Sequence, residues 1–218
     1  MYIPRRYEEK DKEKIFGFIR ENSFGILISI KEGLPVGTHI PLLLEKNEEG
    51  KDILMGHISK GNEQKYTLTN GAKVLVIFAG PHAYVSPRWY TKLTVPTWNY
   101  ISVHIYGTVK LIEGEALRAA LARLTHNYEH PLPQPVTLEE IPEKSLNDDL
   151  RGIIGFEIAI EDIQAAYKLS QNRDEESYHS IIDHLQQGDE TEKAVASAMQ
   201  AKSTTLFERD AEQGTKEE

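Results

Sequence analysis

Apolar positions in this chain fall mostly in short, β-branched runs separated by turn signals, with helical spacing in only a few segments. Asp11 is placed to cap a helix running to about Asn22, with Ile15, Phe18 and Ile19 on one face. Strand-like runs follow at residues 23–30, 36–44 and 52–58, divided by turns at 31–35 and 47–50. Gly61 and Asn62 open a short helix through Leu68, which Asn70-Gly71 ends. Residues 73–79 are almost wholly apolar, so they predict a fourth strand buried on both faces. Residues 97–112 predict a long fifth strand with partial alternation.

A helix is predicted over 114–128, where Leu117, Leu121 and Leu124 recur at helical spacing. His130 to Pro135 is a stiff, proline-rich connector. Residues 153–160 and 164–169 read as two further strands. Asp174 begins a helix through about Leu185, with Tyr178, Ile181, Ile182 and Leu185 as its apolar side. From Gly188 the chain turns polar and Ala-rich, which predicts a loosely attached helix and a disordered acidic tail. Roughly six or seven short strands with few helices predict an α+β fold built on a small β-barrel, not a Rossmann fold. The expected organisation is a barrel domain with inserted helices over 1–170, a helical extension over 171–202 and the tail over 203–218.

Composition narrows the chemistry. The 218 residues are 39% hydrophobic and 27% charged, as in an ordinary globular protein. With no cysteine, thiolate nucleophiles, disulfides, zinc-thiolate sites and iron–sulfur clusters are excluded. The charged N-terminus lacks the apolar segment of a signal peptide, and the longest apolar runs are too short to span a bilayer. A cytoplasmic protein with no membrane partner is the expectation. The net charge of −9 works against broad attraction to nucleic acid. GxGxxG, P-loop, nucleophile-elbow and HExxH motifs are all missing. His126 and His130 flank a helix end without a carboxylate at ligand spacing, so no metal is assigned.

The stretch from Gly80 to Gly107 holds both tryptophans, Trp89 and Trp98, with Tyr84, Tyr90, Tyr100, Tyr106, His82, His104 and three prolines. Rings with a polar handle suit a site for a flat ligand or a surface that meets a second protein. Together with Thr38-His39 before Pro41-Leu42-Leu43-Leu44-Glu45, with Gly56-His57, and with Lys168-Leu169-Ser170-Gln171-Asn172-Arg173, this stretch resembles the PaiB family of transcriptional regulators. The resemblance runs over residues 1–185. It implies an α+β, FMN-binding split β-barrel of the pyridoxamine phosphate oxidase type, with flanking helices and a C-terminal helical extension. It also implies a homodimer holding FMN at the subunit interface, and repression of sporulation and extracellular protease genes.

The same resemblance points to site residues. The turn after the third strand, with His57, Ser59, Lys60 and Asn62, is where the family's fold meets the flavin phosphate; on spacing alone it is an ordinary polar turn. Relatives tend to carry Arg at Lys60 and Pro at Glu63, so the fork of an arginine is lost here. Thr38 and His39 lie on an edge that faces the isoalloxazine ring, where the histidine either donates to a ring carbonyl or packs as a polar residue. Phe78, His82 and Tyr84 bracket the exit of the fourth strand, although Phe78 also reads as barrel core. Trp98 and Asn99 belong to the region that reaches the partner's flavin. Lys168, Gln171 and Arg173 either close over the phosphate or ribityl chain or cap the last helix.

Three functions compete at this level. The first is a flavin-binding repressor, acting on DNA directly or through a partner protein. A DNA patch would draw on Arg5, Arg6, Lys10, Lys12, Lys14, Arg20, Arg88 and Lys92, with no helix-turn-helix. The second is an FMN-dependent oxidoreductase or flavin reductase acting on a small molecule, with His39, His82 or Tyr84 as proton donor. The third is haem binding, with His82 or His184 as axial ligand. NADH or NADPH reduction of the flavin separates the first two.

Overall fold

The hydrophobic alternation resolves into β1 (Glu8–Glu9), β2 (Phe24–Lys31), β3 (Leu34–Pro41), β4 (Leu43–Lys46), β5 (Asp52–Ser59), β6 (Lys73–Val85), β7 (Thr97–Ile112) and β8 (Ile153–Lys168). The helices are α1 (Lys12–Glu21), α2 (Gly114–Glu129), α3 (Glu143–Arg151), α4 (Glu175–Leu185) and α5 (Glu190–Gly214). This computed structural model describes residues 1–214, with side chains through Phe207. The chain divides into two units. A terminal unit joins residues 1–15 and 79–103 with the chain from Gln164 onward; a barrel unit joins 16–78 and 104–163.

In sheet order the strands run β3-β2-β6-β7-β8-β5-β4, with β1 pairing off this path to β8. Pairing is antiparallel between β2 and β3, where Leu27 faces Thr38, and between β5 and β8, where Gly56 faces Phe156. Glu32 and Gly33 join β2 to β3 at φ of 52° and 82°, the pair of left-handed conformations that a two-residue hairpin requires. The two outermost strands, β3 and β4, are separated along the chain by Leu42 alone. The sheet of the barrel unit is therefore rolled back on itself, with a seam at Pro41-Leu42. There the Leu42 amide leaves the ladder and donates to the Ser23 carbonyl at 2.8 Å. Gly56 faces this seam: a Cβ on it would stand 2.7 Å from Leu42 Cδ2, so no side chain fits.

The barrel core is filled by Leu27, Leu54, Val76, Phe78, Ile105, Phe156 and Ile158, all buried, while Met55 packs on the other face of β5 with Leu43, Ile112, Ala120 and Leu124. The opposite face of β2 is apolar as well. Phe24 and Ile30 stand 64% and 59% exposed, with Ile26 and Ile28 between them on the same side. Helix α1 starts as expected, with Asp11 Oδ1 accepting from the amides of Glu13 and Lys14.

Several expectations need correction: the strand expected over 36–44 is broken at Leu42 into β3 and β4, and the one expected over 73–79 runs on to Val85 as β6. The short helix over 61–68 is a single 3-10 turn, Glu63–Tyr66. The two strands predicted on either side of Glu161-Asp162 are one strand, β8, because Glu161 sits on its solvent side and pairs with Lys73 at 2.6 Å. Helix α3 was not read from sequence; it buries only Leu146, too little for a visible apolar period. The segment after Gly188 is not loosely attached. Val195, Ala196 and Met199 of α5 are fully buried, and the Met199 carbonyl accepts from the Tyr178 hydroxyl at 2.9 Å. Of the tail expected over 203–218, residues to Gly214 are helical and the remainder lies outside the described residues.

Candidate functional site

The fourteen candidate residues divide evenly between the units. In the barrel unit, the turn leaving β5 is tied to itself. Ser59 Oγ accepts from the Gly61 amide at 3.1 Å, and Asn62 Oδ1 caps the 3-10 turn by accepting from the Gln64 amide at 2.8 Å. The other end of the Asn62 amide donates to Thr38 Oγ1 at 2.9 Å, so Thr38 and Asn62 are brought together. Beneath them Gln64 is buried, and its Nε2 reaches the Leu27 carbonyl, Ser29 Oγ and the Val36 carbonyl at 3.0, 3.0 and 3.3 Å. Its Oε1 is buried without a partner among the described residues, an acceptor held open. Sequence reasoning missed Gln64, since nothing marks a glutamine in a polar turn as buried.

Lys60 is not gathered with Thr38 and Asn62. It lines a cavity of about 700 Å³ together with Arg118, Asn147 and Arg151, while its amide donates to the Gly152 carbonyl at 2.8 Å. Glu63, on the same turn, pairs with Lys31 at 2.9 Å. His39 projects from the opposite face of β3 to Thr38, as strand periodicity demands, and its ring stacks with Phe24 at 6.2 Å between centroids. His57 is half-buried on β5, and burial pushes its pKa below the ordinary histidine value. Phe78 is a core residue. It is fully buried, and a Cβ on Gly25 would come within 2.9 Å of its ring.

In the terminal unit, three aromatic side chains form an exposed cluster. Trp98 meets Tyr84 edge to face at 5.9 Å and His82 at 6.1 Å. Trp98 is 53% exposed, whereas its neighbour Asn99 points inward and is fully buried. Asn99 accepts from Ser170 Oγ at 2.9 Å and donates to the Met199 sulfur at 3.3 Å. Phe78 and Asn99 thus present no surface to a ligand, and both leave the candidate set.

The turn from Lys168 to Arg173 is built differently from the turn after β5. Ser170 holds φ at +62°, a left-handed conformation that a non-glycine residue adopts at some cost. Gln171 staples the turn: its Oε1 accepts from the Leu169 amide at 2.8 Å and its Nε2 donates to the Tyr167 carbonyl at 2.5 Å. That staple spends the amide on shaping the loop. Lys168 is half-buried, donates to Thr97 Oγ1 at 2.5 Å, and is pushed below the usual lysine range by burial. The Arg173 guanidinium lies 3.9 Å from the centre of the Tyr90 ring, with its Nε buried and unpartnered. Neither cation has a carboxylate partner among the described residues. Two underneutralised cations on one strained turn, in a unit that also displays flat rings, are a donor set suited to a planar cofactor carrying phosphate. The residues present therefore fit FMN.

Other features bear on the alternatives. Trp89 stacks on His184 at 4.9 Å, and His184 Nδ1 lies 2.7 Å from the Ser180 carbonyl. Within the basic set, Lys10 pairs with Glu8 and Lys14 with Glu9, both at 3.1 Å. Among the described residues no group of three or more His, Cys, Asp or Glu is placed to hold a metal ion, and no helix is long and apolar enough to cross a membrane.

A rolled antiparallel sheet with flanking helices is the architecture of the flavin-binding split barrels. Solved structures share it, two of them as follows. The FAD and haem binding protein from Mycobacterium smegmatis has a TM-score of 0.55 and 18% identity, covering 74% of this chain and 73% of that one. The flavocytochrome Anf3 from Azotobacter vinelandii has a TM-score of 0.56 and 17% identity, covering 82% and 78%. At such identities the likeness concerns the fold alone. In sequence, residues 1–162 match the family model described as "Putative FMN-binding domain". The protease synthase and sporulation protein PAI 2 of Bacillus subtilis (strain 168) is 44% identical over 186 residues, 85% of this chain and 89% of that protein. The chain belongs to the PaiB family, within the FMN-binding split barrels.

Proposed function

We propose that this chain is a PaiB-like negative regulator of transcription that binds FMN as a homodimer and represses sporulation and degradative-enzyme genes. The observation that carries the flavin reading is the Lys168–Arg173 turn, where two cations lack counter-charges and the Arg173 Nε is buried without a partner. The regulatory role rests on the 44% identity to the sporulation and protease synthase protein. The apolar outer face of β2, with Phe24 and Ile30 exposed, supports self-association, since so large an apolar surface is normally covered. Within the basic set, Lys10 and Lys14 are already paired, which favours regulation through a partner or a bound metabolite over direct contact with DNA.

When bound, FMN would supply redox chemistry. This chain's part is to hold the phosphate with Lys168 and Arg173 and to offer the ring edges of His82, Tyr84 and Trp98. The test is the visible spectrum of the purified protein before and after FMN is added. A flavin band that stays with the protein through gel filtration is expected; a colourless protein that cannot be loaded overturns the flavin reading. Rapid reduction of the loaded protein by NADH or NADPH would replace the regulator with the alternative, an FMN-dependent oxidoreductase. The size of the eluting species tests the homodimer, and a salt-dependent mobility shift on the upstream region tests DNA contact.

A further inference from the structure

One cavity of the barrel unit involves none of the candidate flavin residues. It measures about 830 Å³ and is lined by Arg20 and Ser23, by Leu42 to Glu45 at the seam, by the last turns of α2, and by residues 135–139. That volume lies in the range of small-molecule sites. The lining is already fixed in place. Glu129 Oε2 accepts from the Val136 amide at 2.9 Å, and Thr137 with Glu140 forms a capping box that holds the connector's far end. The prolines at 131, 133 and 135 stiffen the stretch leading to it.

The polar groups define what would fit. Arg123 is spent on Glu45, at 2.8 Å, and Glu129 on the Val136 amide. That leaves the Arg20 guanidinium as a lining cation with no carboxylate partner among the described residues. Glu139, within electrostatic reach of Arg118, still presents a carboxylate to the cavity, so a second anionic group on the ligand would be repelled. His126 and His130, one helical turn apart, stack at 4.9 Å with 23° between their planes and offer flat ring surface to the cavity. Leucines 42 to 44, Ala122, Val136 and Leu138 supply apolar wall.

We infer that this cavity is a second small-molecule site, distinct from the flavin site, that takes a flat aromatic acid bearing one anionic group. The anion meets Arg20, and the aromatic body lies among the leucines, Ala122 and the histidine pair. In a regulator such a site would receive an effector.

The probe is anilinonaphthalene sulfonate, a flat aromatic body with one anionic group, titrated into the full chain by fluorescence with and without excess FMN. Saturable binding of one probe per chain, unchanged by FMN, is expected. Arg20→Gln should weaken it about tenfold, the loss of one charge-assisted contact. Ala122→Trp should fill the cavity and abolish binding while the thermal melt stays cooperative. Absence of saturable binding, displacement of the probe by FMN, or wild-type affinity in Arg20→Gln overturns the proposal. Arg20 is exposed, so its variant decides the matter even if Ala122→Trp fails to fold. Failure here leaves the flavin reading untouched, because that reading is measured on flavin retention and on Arg173.

Discussion

The turn after β5 and the turn after β8 have similar compositions, each with a lysine, a serine and an asparagine, and both suggested a phosphate site in the sequence. Their bonding differs. In the first, most of the turn is tied locally, Ser59 on Gly61, Asn62 on Gln64 and Thr38, and the Lys65 ammonium on the Lys60 carbonyl at 2.7 Å, which leaves the exposed Lys60 ammonium and the buried Gln64 Oε1 without a partner among the described residues. In the second, Lys168 has a single hydroxyl partner and Arg173 an aromatic face, with no counter-ion for either among the described residues. A turn rich in donors marks an anion site only if those donors remain unspent once it has folded.

The largest effect expected from this contrast is on Arg173. Arg173→Ala should raise the Kd for FMN by about tenfold or more, the scale of one charge-assisted hydrogen bond, with little change in Tm. Isothermal titration alongside a melting curve reads both. Asn62→Ala should do the reverse: it removes a cap and should cost about 1 kcal/mol of stability in urea unfolding while leaving FMN affinity within about threefold. Lys60→Gln should change FMN affinity by less than about twofold, because one exposed, flexible lysine contributes little. A tenfold loss there would return the first turn to the phosphate site.

The smallest effect concerns pH. The folded pKa of His57 is depressed by burial, so below the unfolded value of 6.5 the unfolded chain takes up the proton first. Its contribution to stability is present above that value and is lost as pH falls through the folded pKa. His57→Gln should flatten this part of the stability–pH curve, measured by urea unfolding from neutral pH downward.

Legibility followed the physics of each segment. Strand β7 was readable to its ends because Pro96 precedes it and helix α2 begins at Gly114, and Asp174 announced α4 as its cap, accepting from the Ser177 amide at 2.9 Å. Strand β6 runs on to Val85, through Gly80 and Pro81, residues that usually punctuate. The docking of α5 was hidden because its buried face is built from small residues and one methionine. Within the site, pairing Trp98 with Asn99 conflicted with strand periodicity: neighbours on a strand face opposite sides, and only Trp98 faces outward. The two cations of the second turn were legible as residue types. Their lack of counter-charge was not, because it depends on which carboxylates fold nearby.

The seam at Leu42 also sets an order of events. β4 and β5 pair across a short loop, so their hairpin can form as soon as it leaves the ribosome. The far side of β5, however, pairs with residues 153–159, which are translated about a hundred residues later, a delay of several seconds at ordinary elongation rates. Until then the growing chain carries an open strand edge beside apolar Ile53, Leu54 and Met55. The nascent protein is most exposed to misassembly during that interval, before β8 arrives to complete the sheet.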